Sequence, residues 1–141
     1  MNKEPAGKVL RVTNQIEELD RVEVFLRELA EEWELPAPLV LSLNLVLEEA
    51  LTNTILHGFN DENLHTIDIS FTKTGTELSI SIVDDGHPFD PTLQSDPDLT
   101  LSIEDRPVGG LGIFLIKKVM DQVLYQRKED KNYLNLTKKI G

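Results

Sequence analysis

The sequence contains no cysteine, so disulfides and thiolate metal sites are excluded. Aromatic residues make up only 6%, and basic residues are few, with 14 Lys and Arg against 25 Asp and Glu. The resulting net charge of −11 would repel a phosphate backbone, so nucleic acid and anionic membranes are poor partners. No apolar run approaches the roughly 20 residues that span a bilayer, and residues 1–5 lack the apolar core of a signal peptide. These absences fit a cytoplasmic protein.

The length and composition favour one soluble domain. The chain has 141 residues, 40% of them hydrophobic and 28% charged, which is ordinary for a globular protein with a real core. No internal repeat, low-complexity linker or domain boundary is visible. We therefore expect residues 1–141 to form a single domain.

The amino-terminal half predicts one strand and two helices. A loosely alternating run, Lys8–Val12, indicates a short strand. An amphipathic helix is expected from Gln15 to about Leu35, with Asn14 and Glu17 forming a capping-box-like pair. A second helix is expected from about Pro38 to His57, ended by Gly58 in the left-handed conformation.

The carboxyl-terminal half predicts strands on both sides of one helix. Period-two alternation in Thr66–Thr72 and in Glu77–Val83, across a turn at 73–76, indicates a hairpin. A third helix is expected over Leu111–Asp121, and Gln122–Arg127 with Asn132–Lys138 would form a closing hairpin. The order of elements predicts an α+β fold: a two-layer sandwich in which a mostly antiparallel mixed sheet is covered on one face by three helices.

The second predicted helix carries two polar residues that need an explanation. It is apolar nearly all round, which indicates burial on most sides, yet Glu49 and Asn53 are four residues apart and share one face. In one interpretation, Glu49 reaches a solvent gap and Asn53 bonds the backbone. In the other, the Asn53 oxygen binds Mg²⁺ and the Glu49 carboxylate accepts a proton from a hydroxyl that attacks a γ-phosphate.

An acidic turn, Asp84-Asp85-Gly86, follows the second strand of the predicted hairpin. It could simply end the strand. Alternatively, a carboxylate at this point could accept a hydrogen bond from an exocyclic amine such as that of adenine, and Gly86 would let the backbone pass close to the ring. Because Leu78, Ile80 and Ile82 alternate onto one face, the same register points Asp84 to the helix-covered side.

A glycine cluster, Gly109-Gly110-Leu111-Gly112, precedes the third helix. It could be a hinge or a loose helix start, or its bare N–H groups could cradle phosphates at the helix N-terminus. No Gly-Lys-Ser/Thr follows, so it is not a Walker A sequence, and a long loop rather than a strand precedes it. That loop, 22 residues from His87 to Val108, is long for a connector and is expected to act as a lid.

Together these three segments resemble the N, G1 and G2 boxes of the GHKL ATPases. The segments are residues 49–58, 84–91 and 109–113, and within that superfamily they are most similar to the bacterial anti-sigma-factor serine kinases. The resemblance covers nearly the whole chain. It implies a Bergerat ATP-binding fold, Mg-ATP, and phosphorylation of a serine of an anti-anti-sigma STAS-domain protein, with binding of a sigma factor and a homodimer as further expectations.

The resemblance also implies a role for each motif residue. Glu49 would be the catalytic base and Asn53 the Mg²⁺ ligand, while Asp84 would contact adenine. Nucleotide-binding positions would also include Gly86, Pro88, Gly109, Gly110, Leu111 and Gly112.

One departure from the superfamily pattern concerns the first glycine box. Pro88 stands where the wider superfamily has a second glycine, and the Pro-Phe-Asp-Pro continuation is familiar in the anti-sigma-kinase-like branch.

Two other possibilities remain beside the kinase. The domain could bind ATP as a conformational ligand that controls a protein partner with little turnover, or it could be a structural domain with a dead site.

Overall fold

In the computed structural model, the chain is described over residues 6–93 and 110–140, and these residues form five strands and three helices. The strands are β1 (Ala6–Thr13), β2 (Thr66–Thr74), β3 (Glu77–Asp84), β4 (Gln122–Lys128) and β5 (Lys131–Lys139). The helices are α1 (Leu19–Glu32), α2 (Ala37–His57) and α3 (Gly110–Val119). The element order is the one that the sequence pattern predicted, and the bounds differ by a few residues.

The strands form one sheet in the order β1-β2-β3-β5-β4, and every described pairing is antiparallel. The β2–β3 turn contains Gly75 at a φ of 59°, and the β4–β5 turn places Glu129 and Asp130 at φ values of 53° and 63°. After β3 the chain passes through α3 to the edge strand β4. It then returns as β5 between β4 and β3, so the last strand is an inner one.

The core lies between the helices and one face of the sheet. Alternate strand residues point into it and are buried, among them Ile67, Ile69, Phe71, Leu78, Ile80, Ile82, Leu134 and Leu136. Helix residues close it from the other side: Val22, Leu26 and Leu29 of α1, Leu43, Val46, Leu47 and Leu51 of α2, and Ile113 and Ile116 of α3. Each fully buried side chain of this size stabilises the fold by about 1.5–3 kcal/mol. The α+β two-layer prediction is confirmed.

The predicted capping box of the first helix is wrong. A 3-10 turn at Ile16–Glu18 precedes α1, and its N-cap residue Gln15 makes no side-chain capping bond. The Asn14 side chain instead accepts a hydrogen bond from the backbone N–H of His65, at 2.9 Å. The Glu18 carboxylate accepts bonds from the N–H and hydroxyl of Thr13. Asn14 is therefore used to join the end of β1 to the start of β2, which local sequence rules do not anticipate.

The predicted left-handed cap at Gly58 is also wrong. Gly58 has φ −85° and ψ −15°, which is right-handed, and its N–H donates to the Thr54 carbonyl. Glycine is needed at position 58 for space, because a Cβ there would lie 2.5 Å from the Thr54 carbonyl oxygen. Gly86 is close by in turn, since a Cβ on Gly86 would lie 2.2 Å from the Gly58 carbonyl oxygen. The end of α2 and the turn after β3 therefore touch backbone to backbone.

Helix α2 is more exposed than its composition predicted. Leu43, Val46, Leu47, Ala50 and Leu51 are buried, whereas Leu41 is 75% and Leu56 61% exposed. The physical reason is the single layer of helices, which leaves the outer side of α2 facing solvent. By length and mean hydropathy of 1.4 alone, this helix could cross a membrane. Its inner side nevertheless packs on the sheet, as in the core helix of a globular domain.

Candidate functional site

A small cavity lies where α2, the end of β3 and α3 meet; it encloses about 30 Å³, and about 450 Å³ when the open space at its mouth is included. Asn53 and Asp84 supply polar groups from two of the predicted motifs. The other lining residues are Ala50, Thr54, Gly58, Phe89, Pro91, Ile116, Tyr125, Asn132 and Leu134. A mostly apolar cavity with a few converging polar groups is the usual form of a small-molecule site.

The α2 motif lies against the glycine motif of α3. Glu49 and Asn53 are both half-buried, and both face Gly112 in the first turn of α3. A Cβ on Gly112 would lie 2.7 Å from a Glu49 carboxylate oxygen and 3.7 Å from the Asn53 side-chain nitrogen. Only glycine leaves this space free. Two segments that are 63 residues apart at Glu49 and Gly112 therefore meet in one place.

The rest of the glycine cluster is described in part. Helix α3 begins at Gly110, so the bare backbone of the cluster does stand at a helix N-terminus, where N–H groups favour an anion. Leu111 lies in this first turn, while Gly109 and the predicted lid beyond residue 93 lie outside the described residues.

The carboxylate of Asp84 lines the cavity and is held by hydrogen bonds. Asp84 is the last residue of β3 and is 7% exposed, whereas Asp85 is exposed, so the first acid faces the helix-covered side as predicted. One oxygen, Oδ1, accepts bonds from the Gly86 N–H at 2.9 Å and the Asn132 side chain at 3.0 Å. Among the described residues, nothing donates to the other oxygen, Oδ2. A buried carboxylate oxygen without a donor is suited to bind a ligand N–H.

The turn after β3 is tightly packed. A Cβ on Gly86 would collide with the Gly58 carbonyl oxygen and would lie 2.9 Å from Asp84 Oδ1, so glycine is required. Pro88 is exposed and is not among the residues that line the cavity. The neighbouring Phe89 and Pro91 line it instead, next to a 3-10 turn at Pro91–Leu93.

The sequence reasoning missed three residues of β4 and β5. Asn132 is 6% exposed and lies directly opposite Asp84 in the β3–β5 register. Tyr125 and Arg127 both donate to its side-chain oxygen. The signal was present in the sequence, because Asn132, Leu134 and Leu136 alternate onto the core face, where an amide is unusual.

The histidines lie outside this cavity. His65 sits between two carboxylates, with Nε2 2.7 Å from Asp61 and Nδ1 3.0 Å from Asp85, and its ring stacks on Phe59. The bond to Asp61, and then the bond to Asp85, raise the pKa of His65 above its ordinary value. His87 reaches back to the His57 carbonyl oxygen. Asp85 is therefore part of a surface ion-pair cluster rather than of the cavity.

The donor set suits a nucleotide bound with a metal ion. No group of three or more His, Asp or Glu side chains within residues 6–93 and 110–140 could hold a metal by itself. A divalent cation beside Asn53 would therefore need oxygens from another source, such as the phosphates that Mg²⁺ commonly shares. The glycine-lined space beside Glu49 and the unpaired Asp84 oxygen are the features that such a ligand would fill. Fold and site together define an ATPase-type nucleotide-binding domain.

The comparisons with known proteins agree with this class. Residues 12–138 match the histidine kinase-like ATPase domain, and the chain belongs to that family. It is 36% identical over 101 residues to the serine/threonine-protein kinase BtrW of Bordetella bronchiseptica, covering 72% of this chain and 71% of BtrW. It is 32% identical over 89 residues to the serine-protein kinase RsbW of Bacillus velezensis, covering 60% of this chain and 55% of RsbW.

Another RsbW, from Listeria monocytogenes, is 31% identical over 85 residues, or 57% of this chain and 54% of that protein. The chain thus spans about half the length of these two RsbW relatives. Among solved structures, that of the RsbU and RsbW domains of Rv1364c from Mycobacterium tuberculosis matches with a TM-score of 0.69 over 96% of this chain and 32% of that one. At 13% identity this match shows the fold alone.

Proposed function

We propose that this chain is an ATP-dependent protein serine kinase of the anti-sigma-factor type. It transfers the γ-phosphate of Mg-ATP to a serine of a STAS-domain anti-anti-sigma protein, and it regulates a sigma factor by binding it. The family match and the printed names of BtrW and RsbW support the kinase class. The protein substrate and the sigma factor rest on the resemblance of the three motifs.

One observation carries the proposal: Gly112 leaves room at the start of α3 directly beside Glu49 and Asn53. Asp84 lies in the same cavity as Asn53. A nucleotide with its base at Asp84 would extend its phosphates toward the N-terminus of α3. By the motif resemblance, Gly86 and Pro88 would be on the side of the base, and Gly109, Gly110, Leu111 and Gly112 on the side of the phosphates. Pro88 would act from the exposed turn next to Phe89, which lines the cavity.

In the transfer step, Glu49 acts as the general base. The seryl oxygen of the substrate attacks the γ-phosphorus, and its proton passes to the Glu49 carboxylate. The bond from the γ-phosphorus to the bridging oxygen breaks, and ADP leaves with that oxygen. Because phosphoryl transfer depends mainly on positioning and electrostatics, the fixed placement of Glu49 on a packed helix favours it.

Asn53 would hold a Mg²⁺ ion through its side-chain oxygen, together with nucleotide phosphates. Such an ion neutralises the charge of the phosphate oxygens when it is bound. The neutral amide suits this position, because Glu49 one helical turn away already supplies a negative charge. The donor chemistry of Asn53 thus supports a metal ligand rather than a second base.

The acidic surface and the missing thiols support a cytoplasmic protein that acts on proteins, without binding nucleic acid or membrane.

A homodimer through the sheet edge or the first helix is part of the proposal. Strand β1 is an edge of the described sheet, and its Val9 is 66% exposed. An exposed apolar residue on an edge strand is a plausible pairing surface.

The second candidate is a binding module that uses ATP to grip or release a partner without transfer. The observation that favours this second candidate is the position of Glu49, which is only half-exposed and faces Gly112 of α3. A general base must reach a substrate hydroxyl, and a carboxylate that only touches α3 would not do so. The two functions differ in whether the γ-phosphate leaves the nucleotide.

Transfer from γ-labelled ATP with Mg²⁺ to STAS-domain proteins of the same genome tests the proposal. Glu49→Gln should slow transfer by about 10²- to 10⁴-fold and leave ATP affinity nearly unchanged. Glu48→Gln is the matched control, because Glu48 is the adjacent acid on α2 but lies in a cleft beside α1, away from the cavity. It should leave both quantities as in the wild type.

Binding of ATP without transfer to any of these proteins would favour the binding module. Equal transfer by the wild type and Glu49→Gln would reject Glu49 as the base. Failure of the wild type to bind any adenine nucleotide would establish a dead site.

A further inference from the structure

Asn132 makes as many hydrogen bonds as its side chain can form, all of them to groups of the protein. Its nitrogen donates to Asp84 Oδ1 at 3.0 Å and to the His87 carbonyl at 2.9 Å. Its oxygen accepts from the Tyr125 hydroxyl and from Arg127 Nη1, the latter at 3.2 Å. An amide group has two donor hydrogens and two acceptor lone pairs, so the side chain has no capacity left.

These partners also determine which way the amide points. A guanidinium can only donate, so the oxygen of Asn132 must face Arg127. A backbone carbonyl can only accept, so the nitrogen must face His87 and, with it, Asp84. Arg127 is fixed in turn by its bond to the Gly86 carbonyl at 2.7 Å. A flip of the amide would lose the bonds to Arg127, His87 and Asp84, because among the four partners only the Tyr125 hydroxyl can both donate and accept.

The orientation of Asn132 decides which oxygen of Asp84 remains for a ligand. Oδ1 already accepts from Asn132 and from the Gly86 N–H, which prevents the carboxylate from rotating. Since no group among the described residues donates to Oδ2, Oδ2 is the oxygen that can accept a hydrogen bond from a ligand in the cavity. A fixed single acceptor discriminates strongly by the hydrogen-bonding character of the group that meets it.

We propose that Asn132 is a positioning residue that fixes Asp84 as a one-sided acceptor and thereby makes the site select 6-aminopurine over 6-oxopurine nucleotides. A 6-amino group donates to Oδ2, whereas a 6-oxo group would place an oxygen against it. A carboxylate free to turn could instead accept the N1–H of a 6-oxopurine. This inference rests on the adenine site of the proposed function and names the residue that sets its base selectivity.

The test compares the affinities of the whole chain for ATP and for inosine triphosphate, which carries the 6-oxo group. The wild type should bind ATP at least about tenfold more tightly. Asn132→Leu keeps the branching at Cγ without polar atoms, and it should lower the ratio of the two affinities by about tenfold by releasing Asp84. Tyr125→Phe removes one bond to the amide oxygen and should lower the ratio by roughly two- to fivefold.

A double-mutant cycle separates positioning from general loss of structure. If Asn132 acts through Asp84, Asn132→Leu should not change the affinity ratio further in the Asp84→Asn background. An unchanged ratio in folded Asn132→Leu, or additive effects in the cycle, would overturn the proposal. If Asn132→Leu does not fold, an unchanged ratio in Tyr125→Phe would overturn it equally.

The outcomes also distinguish this inference from the proposed kinase. If the chain binds ATP selectively but transfers no phosphate, the proposed kinase activity is rejected, whereas the proposed role of Asn132 stands. A chain that binds neither nucleotide would overturn both.

Discussion

At the scale of single residues, two glycines shape the site in different ways. The space beside Gly112 is bounded by the end of the Glu49 side chain, which can move. The space beside Gly86 is bounded by the backbone carbonyl of Gly58, which cannot move without shifting α2. The first glycine therefore matters for the chemistry, and the second for the fold.

Gly112→Ala should keep the fold and damage the site. The new methyl would push the Glu49 carboxylate aside, so we expect less than about 1 kcal/mol of lost stability but at least a tenfold loss of phosphoryl transfer. Gly86→Ala should cost about 1–3 kcal/mol or more, because backbone has to shift. Thermal unfolding together with the transfer assay would measure both.

Gly7→Ala is the control for these two variants, because its Cβ would lie 3.7 Å from the Phe71 carbonyl oxygen, an ordinary contact. It should match the wild type in both assays. A Gly112→Ala variant with full transfer activity would show that Glu49 does not need this space.

At the scale of elements, α2 is two-sided although its composition is nearly uniform. Leu47 is fully buried between the sheet and the other helices, and Leu41 on the same helix is 75% exposed. The buried side places both polar residues at the edge of the core, where Asn53 lines the cavity and Glu49 faces Gly112. The rigidity of the site therefore depends on one side of this helix only.

Truncation of the two leucines should show this difference directly. Leu47→Ala should lower the free energy of unfolding by about 2–5 kcal/mol through lost burial and a cavity. Leu41→Ala should change it by no more than about 0.5 kcal/mol. Urea denaturation of both variants would measure the difference, and equal losses would mean that the outer side of α2 is covered in solution.

At the scale of the whole molecule, surface ion pairs set how stability depends on pH. The His65 cluster joins the loop after α2 to the end of β3, and its two carboxylates raise the pKa of His65 from its ordinary value of 6.5. Hydrogen bonds from His65, from Arg11 and from Thr13 lower the pKa values of Asp61, Asp68 and Glu18, respectively. The two kinds of shift act in opposite pH ranges.

Stability should be greatest in the mildly acidic range, above the ordinary pKa values of the carboxyl groups and below that of His65. The raised His65 pKa contributes fully below pH 6.5, and this contribution is lost as the pH rises through the folded-state value. The lowered carboxyl pKa values contribute above their ordinary values of 3.8 and 4.5 and lose this contribution as the pH falls. Melting temperatures from pH 4 to about pH 8 would trace both limbs.

His65→Gln should remove much of the fall in melting temperature above pH 6.5. The fall in melting temperature at acidic pH, which depends on Asp68 and Glu18, should remain. If the two curves ran parallel between about pH 6 and pH 8, the His65 cluster would have no part in the pH dependence.

The sequence by itself determined the order of the elements and the residues that face the core. Period-two alternation identified the strands and pointed Asp84 inward, because side-chain direction in a strand depends only on position parity. Local rules were wrong at Asn14, where a partner from a distant segment, His65, decides the geometry. They were also wrong at Gly58, which keeps a right-handed conformation and bonds the Thr54 carbonyl.

Only the tertiary structure decided how the site is assembled. Placing β5 beside β3 brings Asn132 opposite Asp84, 48 residues away along the chain, and no local pattern specifies that pairing. The same holds for Gly112 against Glu49. Local periodicity is read over a few residues, whereas these contacts follow from how the sheet and helices pack. The motif residues were therefore visible in the sequence, but the orientation of Asp84 by Asn132 was not.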